Sequence, residues 1–421
     1  MSDLKSVGHS LKRRDASDKL RGKAMYPQDI KMDNMAYGAT VRSTITCGTF
    51  TLDCSKVEAM EGVLKVLTAK DVMGHNSHGV MFKDHEVLST NEVKRMGDPL
   101  AFVVAETQEL ADEAAKLIEV TYKEEQGVFD PREAMKDGAR LVHKDTSNIV
   151  YHYKCNTGDT EKAFAESAVV IEEEYFSPFV EHVFLQPESG LAYIDEDGKV
   201  VVVASSQYPH FDRLEIAEGI GKEVEDVVLI NPIVGGAFGG REDITMQIHL
   251  ALATMLTGRT VKTTYSREES FYAHSKRHPV YMTLKTGADK DGKLLALEAK
   301  LVGDTGAYAS WAISVMRKAG VHITGPYEIA NVKVDSYAVY TNNPFAGAMR
   351  GFGATQVPIA YESQMDMMAE KLGLSPFEIR RKNMFHMNSM TANGQVLVES
   401  VPLEDCLATI ERAMSEKSGG K

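Results

Sequence analysis

The chain has 421 residues, 43% hydrophobic and 25% charged, which are ordinary globular proportions. At ~100–200 residues per domain, that length suggests two to four domains. With 47 Lys+Arg against 60 Asp+Glu the net charge is −13, which argues against a general nucleic-acid or anionic-membrane binder.

Cys47, Cys54, Cys155 and Cys406 form no C-x-x-C pair, and none lies near a histidine at zinc spacing. Iron–sulfur clusters, zinc knuckles and a disulfide framework are therefore not expected in this chain. The start, MSDLKSVGHSLKRRDASDKLRGK, is basic but lacks the apolar stretch of a secretory signal. No run approaches the ~20 apolar residues that span a bilayer, so a soluble, cytoplasmic protein is expected. A redox metal, if the protein uses one, would have to arrive inside an organic cofactor.

In chain order, Ala36–Arg42 reads as a strand, Gly62–Leu67 alternates apolar residues before an Asp71 turn, and Ala101–Ala105 is a short buried strand. Thr107 can cap a helix whose stripe Leu110, Ala111, Ala114, Leu117 and Ile118 packs on one face. Gly127 to Pro131 breaks the pattern and places a domain boundary, giving units 1–131 and 132–421. Residues 132–165 read as a polar connecting segment. Strand patterns return at Val169–Phe176 and in two hairpins, one about Asp197-Gly198 and one about Asp291-Gly292. Their DEDG and DKDG turns lack the remaining ligands of a calcium loop. Pro209 is placed as a first helical residue, and Ser375-Pro376-Phe377-Glu378 is a capping box. Glu404–Met414 carries Cys406, Leu407, Ile410 and Met414 on one helical face, and the chain after Ser415 should fray.

Three stretches stand out. Ala204-Ser-Ser-Gln207-Tyr-Pro-His leaves the VVVVA strand; Gly235-Gly-Ala-Phe238-Gly-Gly-Arg-Glu242 brackets Ala-Phe between glycine pairs; Gly347-Ala-Met-Arg350-Gly-Phe352-Gly-Ala-Thr-Gln356 is the third. The glycines of the second permit positive φ and close approach, and its N–H groups can form a nest for an anion. The helical pattern after it (Ile244, Ile248, Leu250, Ala251, Met255) could aim a helix N-terminus at that anion. The same residues would equally serve a tight strand-to-helix connection without a ligand. No P-loop is present, and Gly351-Phe-Gly353-Ala-Thr-Gln356 misses the dinucleotide fingerprint at its third position. His274, Lys276, Arg277 and His278 read as a basic surface turn, and Arg317-Lys318 as either a solvated edge or an anion contact.

Taken together, ASSQYPHFDR, VGGAFGGRED and AMRGFGATQ resemble the xanthine oxidase family of molybdenum hydroxylases, specifically the molybdopterin-binding subunit. SREES at Ser266–Ser270, GDTGAY at Gly303–Tyr308 and LGLSPFEIRRKN at Leu372–Asn383 add to the match, in the family's order, over most of residues 15–390. The resemblance implies an α+β (mixed α/β) fold: an α/β hammerhead domain followed by the first part of the molybdenum-cofactor domain. It implies that Gln207 hydrogen-bonds the metal's apical oxo group and that Phe238, Gly239 and Arg350 contact the cofactor, largely through backbone. No side chain would ligate the molybdenum. Glu242 and Phe352 would line the substrate pocket, with Arg317 or Lys318 as a substrate cation.

Family subunits are roughly twice this long and carry a catalytic glutamate near their far end. The expected arrangement is therefore a split subunit whose second half, with that glutamate as general base, is a separate chain. Split subunits are similar to those of selenium-dependent members that hydroxylate nicotinate to 6-hydroxynicotinate with oxygen from water. The implied cofactor is molybdopterin, as the cytosine dinucleotide, with a sulfido or selenido ligand on molybdenum. Electrons would pass through [2Fe–2S] and FAD subunits to NADP. A purine-, aldehyde- or CO-oxidising split enzyme of the same family, or a non-catalytic anion-binding protein, are the other readings.

Overall fold

The structure is a computed structural model that describes residues 4–418. Its strands are β1 (Ala36–Arg42), β2 (Gly48–Asp53), β3 (Val63–Leu67), β4 (Glu92–Val93), β5 (Pro99–Ala105), β6 (Glu119–Glu124), β7 (Ile149–Thr157), β8 (Val169–Ser177), β9 (Ser189–Ile194), β10 (Val200–Ala204), β11 (Val227–Ile230), β12 (Val261–Thr264), β13 (Val280–Ala288), β14 (Leu294–Gly306) and β15 (Asn331–Tyr340). They form a 7-stranded sheet in the order β11-β10-β9-β12-β1-β5-β3, a 5-stranded sheet β7-β15-β14-β13-β8, and a 3-stranded sheet β4-β2-β6.

Sequence explains the inner strands directly. PLAFVVA of β5 and VVVVA of β10 are buried at every position, as continuous apolar runs in a sheet covered on both faces should be. Gly38 of β1 is required by close packing, because a Cβ there would lie 2.1 Å from the buried ring of Phe102. The large sheet packs on the helices Pro209–Ile220 and Gln247–Thr257, whose Ile216, Ile220, Leu250 and Leu252 join the core formed with Val202, Val227 and Val261. The 5-stranded sheet packs on Ala312–His322 and Pro358–Leu372 through Met316, Ala319, Met365 and Met368.

Both hairpin turns form. Asp195 accepts from the N–H groups of Asp197 and Lys199, and Asp289 accepts likewise from Asp291 and Lys293, with Gly198 and Gly292 at positive φ. Each turn carboxylate is thus occupied by its own backbone. Thr107 caps the helix Gln108–Leu117, and the Ser375/Glu378 capping box closes on both sides.

Four expectations need correction. Residues 132–165 are not a plain connection, since they include the edge strand β7, the capped turn of helix Thr160–Ala165 and the short helix Pro131–Ala134. Polar residues misled there because β7 is a half-buried edge strand on β15 with few apolar side chains. Leu117 is not on the packed stripe of its helix: it is 39% exposed, while Ala111 and Ala114 are buried. The last helix runs from Leu403 to Ser418 without fraying after Ser415, and residues 419–421 lie outside the described residues. The large sheet also crosses position 131, because β1 pairs in parallel with β12, so that position is a change of composition and not a gap in the sheet.

The site is positioned by strand ends. Parallel β10 and β11, linked by the Pro209–Ile220 helix, end side by side and release the first two glycine-loop stretches. The third leaves β15 of the other sheet and is pressed against the Ala312–His322 helix. Gly353, at φ +101°, comes so close that a Cβ would sit 2.2 Å from the Val315 carbonyl oxygen. Gly353→Ala should therefore lower unfolding free energy by about 2–4 kcal/mol, clash and strained φ together, in urea denaturation. A wild-type midpoint would contradict this packing.

Candidate active site

The second loop is held by one buried ion pair. Arg241 donates from Nε to Glu188 Oε2 at 2.8 Å, and from Nη1 to Gln186 Oε1 at 3.0 Å and the Gly236 carbonyl at 2.7 Å. Its guanidinium carbon lies 4.2 Å from the Phe184 ring centroid. Burial pushes the Glu188 carboxyl up, but Arg241 and His274 outweigh it and hold that group below its ordinary value. The loop is thereby fixed from inside, which lets its outer edge depart from relaxed geometry. Phe238 sits at φ +56° and Gly239 at φ +107°, conformations that cost energy in a non-glycine residue and persist where the surroundings enforce them.

Gln207 joins the first loop to the second. Its N–H donates to the Arg241 carbonyl at 2.9 Å, and its Oε1 accepts from the N–H of Gly239 at 2.8 Å. That acceptor role fixes the amide orientation, leaving Nε2 turned toward Glu242 Oε1 at 3.3 Å. The third loop closes on the second: Arg350 N–H donates to the Phe238 carbonyl at 2.8 Å, and a Cβ on Gly239 would lie 2.4 Å from the Ala348 carbonyl oxygen. Only glycine fits at position 239. Phe352 takes φ +52°, and the Arg350 carbonyl accepts from Arg277 Nη2 at 2.8 Å.

The three loops enclose a cavity of about 520 Å³ lined by Gln207, Tyr208, Phe238, Gly239, Glu242, Met349, Arg350, Gly351 and Phe352. Six of the residues expected from the sequence are thus brought together. The adjacent cations are not: Lys318 Nζ stands 6.0 Å from the Phe352 ring centroid, whereas the charge of Arg317 bears on Tyr153 of β7. Tyr208, Met349 and Gly351 were missed, as was Trp311, whose ring meets Phe352 edge-on at 5.7 Å and Tyr208 at 5.7 Å. Tyr208 could have been found from its place beside Gln207; nothing in the sequence ties the sole tryptophan to the site. A larger groove, about 980 Å³ between β1, β6 and the helix Arg267–Ala273, contains none of these residues.

Two further expectations are overturned. The helix after the second loop begins at Gln247, whose own side chain accepts the N–H groups of Thr245 and Met246, so no helix N-terminus faces the cavity. His274, Lys276 and His278 are buried, not a surface turn. Lys276 pairs with Glu181 at 2.6 Å, and its backbone exchanges hydrogen bonds with Phe345 and Gly347, making this segment the floor of the third loop. The Lys276 and His182 partners outweigh burial and bring Glu181 to about 2.

Burial, helped by the neighbouring Asp243 charge, raises Glu242 to about 7. A carboxyl poised there can hold or release a proton near neutrality. Among the described residues no group of three or more His, Cys, Asp or Glu is placed to hold a metal ion. The residues present do fit a metal carried in an organic group: a backbone cradle, a directed amide, and a Phe238 ring left 47% exposed on a strained backbone.

This combination of fold and site defines a molybdopterin cofactor-binding protein. The family model "Molybdopterin cofactor-binding domain" matches residues 142–384, and "Aldehyde oxidase and xanthine dehydrogenase, a/b hammerhead domain" matches residues 21–126. The chain belongs to the xanthine oxidase family of molybdenum hydroxylases, as a molybdopterin-binding subunit. It is 39% identical to the nicotinate dehydrogenase large molybdopterin subunit of Eubacterium barkeri, over 98% of this chain and 96% of that one. The aldehyde oxidoreductase of Desulfovibrio gigas superposes with a TM-score of 0.92 at 30% identity, over 95% of this chain and 46% of that one. Quinoline 2-oxidoreductase from Pseudomonas putida 86 gives 0.89 at 27% identity, over 98% of this chain and 54% of that one. The chain thus spans about half the length of these two structures.

Arg241→Met strands the Glu188 carboxylate and should cost about 3–5 kcal/mol of stability in urea unfolding; a loss under 1 kcal/mol (about the worth of a surface pair) would deny it the anchoring role. Glu242 has a folded-state pKa raised above its unfolded value, so the folded chain keeps an extra proton between the two. Its stabilising share is intact below about 4.5 and lost as pH rises through about 7. Glu242→Gln should therefore gain stability relative to wild type between about pH 5 and about pH 8, measured by urea midpoints. A pH-independent difference would rule out the raised pKa.

Proposed function

We propose that this chain is the large molybdopterin subunit of an enzyme that hydroxylates nicotinate to 6-hydroxynicotinate in the cytoplasm. The observation that carries the reading is the convergence of Gln207, Glu242, Phe352 and Lys318 on one cavity, in a chain 39% identical to a nicotinate dehydrogenase subunit along nearly the whole of both. The partners in this reading are a second molybdopterin chain bearing the general base, an iron–sulfur subunit and an FAD subunit that delivers electrons to NADP. The cofactor is molybdopterin cytosine dinucleotide, with a selenido ligand.

When bound, the cofactor supplies two-electron oxidation at a ring carbon, with oxygen from water. Gln207, Phe238, Gly239 and Arg350 hold it. The other roles follow from side-chain chemistry. Phe352, braced by Trp311, offers a flat apolar wall against which a pyridine ring stacks. Lys318, beyond that wall, suits a ring carboxylate. In nicotinate the carboxylate lies across the ring from the carbon that is hydroxylated, so anchoring one end directs the other toward the cofactor. Glu242 in its protonated form donates to the ring nitrogen and draws electron density from the adjacent carbon.

Lys318→Met in the assembled enzyme should raise KM for nicotinate roughly tenfold, the loss of a charge-assisted contact, while turnover of an uncharged pyridine stays unchanged. Turnover of xanthine but not nicotinate by the wild-type assembly would overturn the substrate assignment.

A further inference from the structure

The oxidation proposed above releases protons beneath a cavity whose floor is buried. Written in full, R–H + H₂O gives R–OH, two protons and two electrons: a C–H bond breaks, a C–O bond forms, and the electrons pass through the cofactor to one-electron carriers. We propose that Asp243, Asp212 and Glu215 form an internal path that carries these protons from Glu242 to the surface at Lys83. This rests on the reading of the site as an oxidative hydroxylase, though not on the identity of its substrate.

The path is laid out by three elements. Glu242 lines the cavity, and the next residue, Asp243, turns under the third loop, where a Cβ on Gly347 would lie 2.6 Å from its Oδ2. Asp243 Oδ1 accepts from the Ser310 hydroxyl at 2.7 Å, while Oδ2 is buried without a partner. Asp212, in the first turn of the helix that follows Gln207-Tyr208, is 2% exposed, and its Oδ1 also has no partner. Glu215, one turn on, accepts from the Gly79 N–H at 2.7 Å and from Lys83 Nζ at 3.0 Å. Lys83 is 39% exposed and bridges to Glu218, which completes the route to solvent.

Two buried carboxyl oxygens without donors would be costly as anions, and a protonated carboxyl or an intervening water removes that cost. Every cation facing the path is already occupied: Arg241 by Glu188, Lys276 by Glu181, Lys83 by Glu215 and Glu218. Burial raises Asp212 to about 7; Ser206 opposes this, and the charges of Glu215, Glu188 and Asp243 add to it. Burial raises Asp243 to about 6 against the hydroxyls of Ser310 and Ser275, with Glu215 adding and His182 opposing. Burial also raises Glu215, in spite of Gly79 and Lys83. Consecutive groups with near-neutral and similar proton affinities pass a proton without a deep trap or a high step. A purely structural acidic cluster has no need of that match.

The test uses the assembled, cofactor-loaded enzyme and the isolated chain in parallel. In the enzyme, Asp212→Asn should cut kcat roughly 10- to 100-fold, leave KM unchanged and enlarge the solvent deuterium isotope effect on kcat, while Asp212→Glu restores both. In the isolated chain, infrared spectra near pH 6 should show a protonated-carboxyl stretch that Asp212→Asn removes. If Asp212→Asn does not fold, Glu215→Gln should produce the same kinetic change. A wild-type kcat and isotope effect in the variant, or no carboxyl band assignable to Asp212, overturns the path. An enzyme that oxidises a different substrate but shows the band and the isotope effect overturns only the nicotinate assignment.

Discussion

The Arg241–Glu188 pair is the constraint on which the site depends. Neither group would tolerate burial alone, and together they spend almost every guanidinium hydrogen on Glu188, Gln186 and the Gly236 carbonyl. Fixing the loop from below allows its upper edge to hold Phe238 and Gly239 in left-handed backbone. Those two residues in turn set the third loop, through the Phe238 carbonyl and the missing Cβ of Gly239. Gln207 is aimed by the same arrangement, because its amide oxygen is claimed by loop N–H groups. Order therefore spreads outward from a charge pair that never touches the cavity.

The frame of this site was legible in the sequence where local chemistry is strong. The VVVVA strand, the capping box at Ser375, the Asp-Gly turns and the glycine pairs each force one conformation, and each forms as expected. Legibility ended where a residue's role is set from a distance. Lys276 and His274 look like solvent-facing cations because nothing nearby in sequence reveals Glu181 and Glu188 opposite them. Arg317 and Lys318 are neighbours in the chain, yet a helix turns successive side chains about 100° apart, and only Lys318 approaches the cavity. Trp311 joins the aromatic wall through packing between a helix and a loop of distant sequence.

Charge has a similar split between bulk and site. The chain's net charge of −13 is spread over exposed carboxylates, but four acidic groups lie in the interior around Asp212, where burial favours their neutral forms. Acidic surface and protonatable core are consequences of the same residue type in different dielectric surroundings. The absence of a His/Cys cluster has a comparable meaning: the donor set here is amide, backbone and aromatic ring, suited to an organic group that brings its own sulfur ligands.

The central claim is that these three loops hold a molybdenum atom that no side chain of this chain ligates. Metal analysis combined with X-ray absorption on the complex, purified without oxygen from its native host, tests it most directly. The account predicts one molybdenum per chain, surrounded by sulfur or selenium and oxygen, with no imidazole nitrogen in its first coordination sphere. A fully assembled complex without molybdenum, or one with histidine bound to the metal, would contradict it.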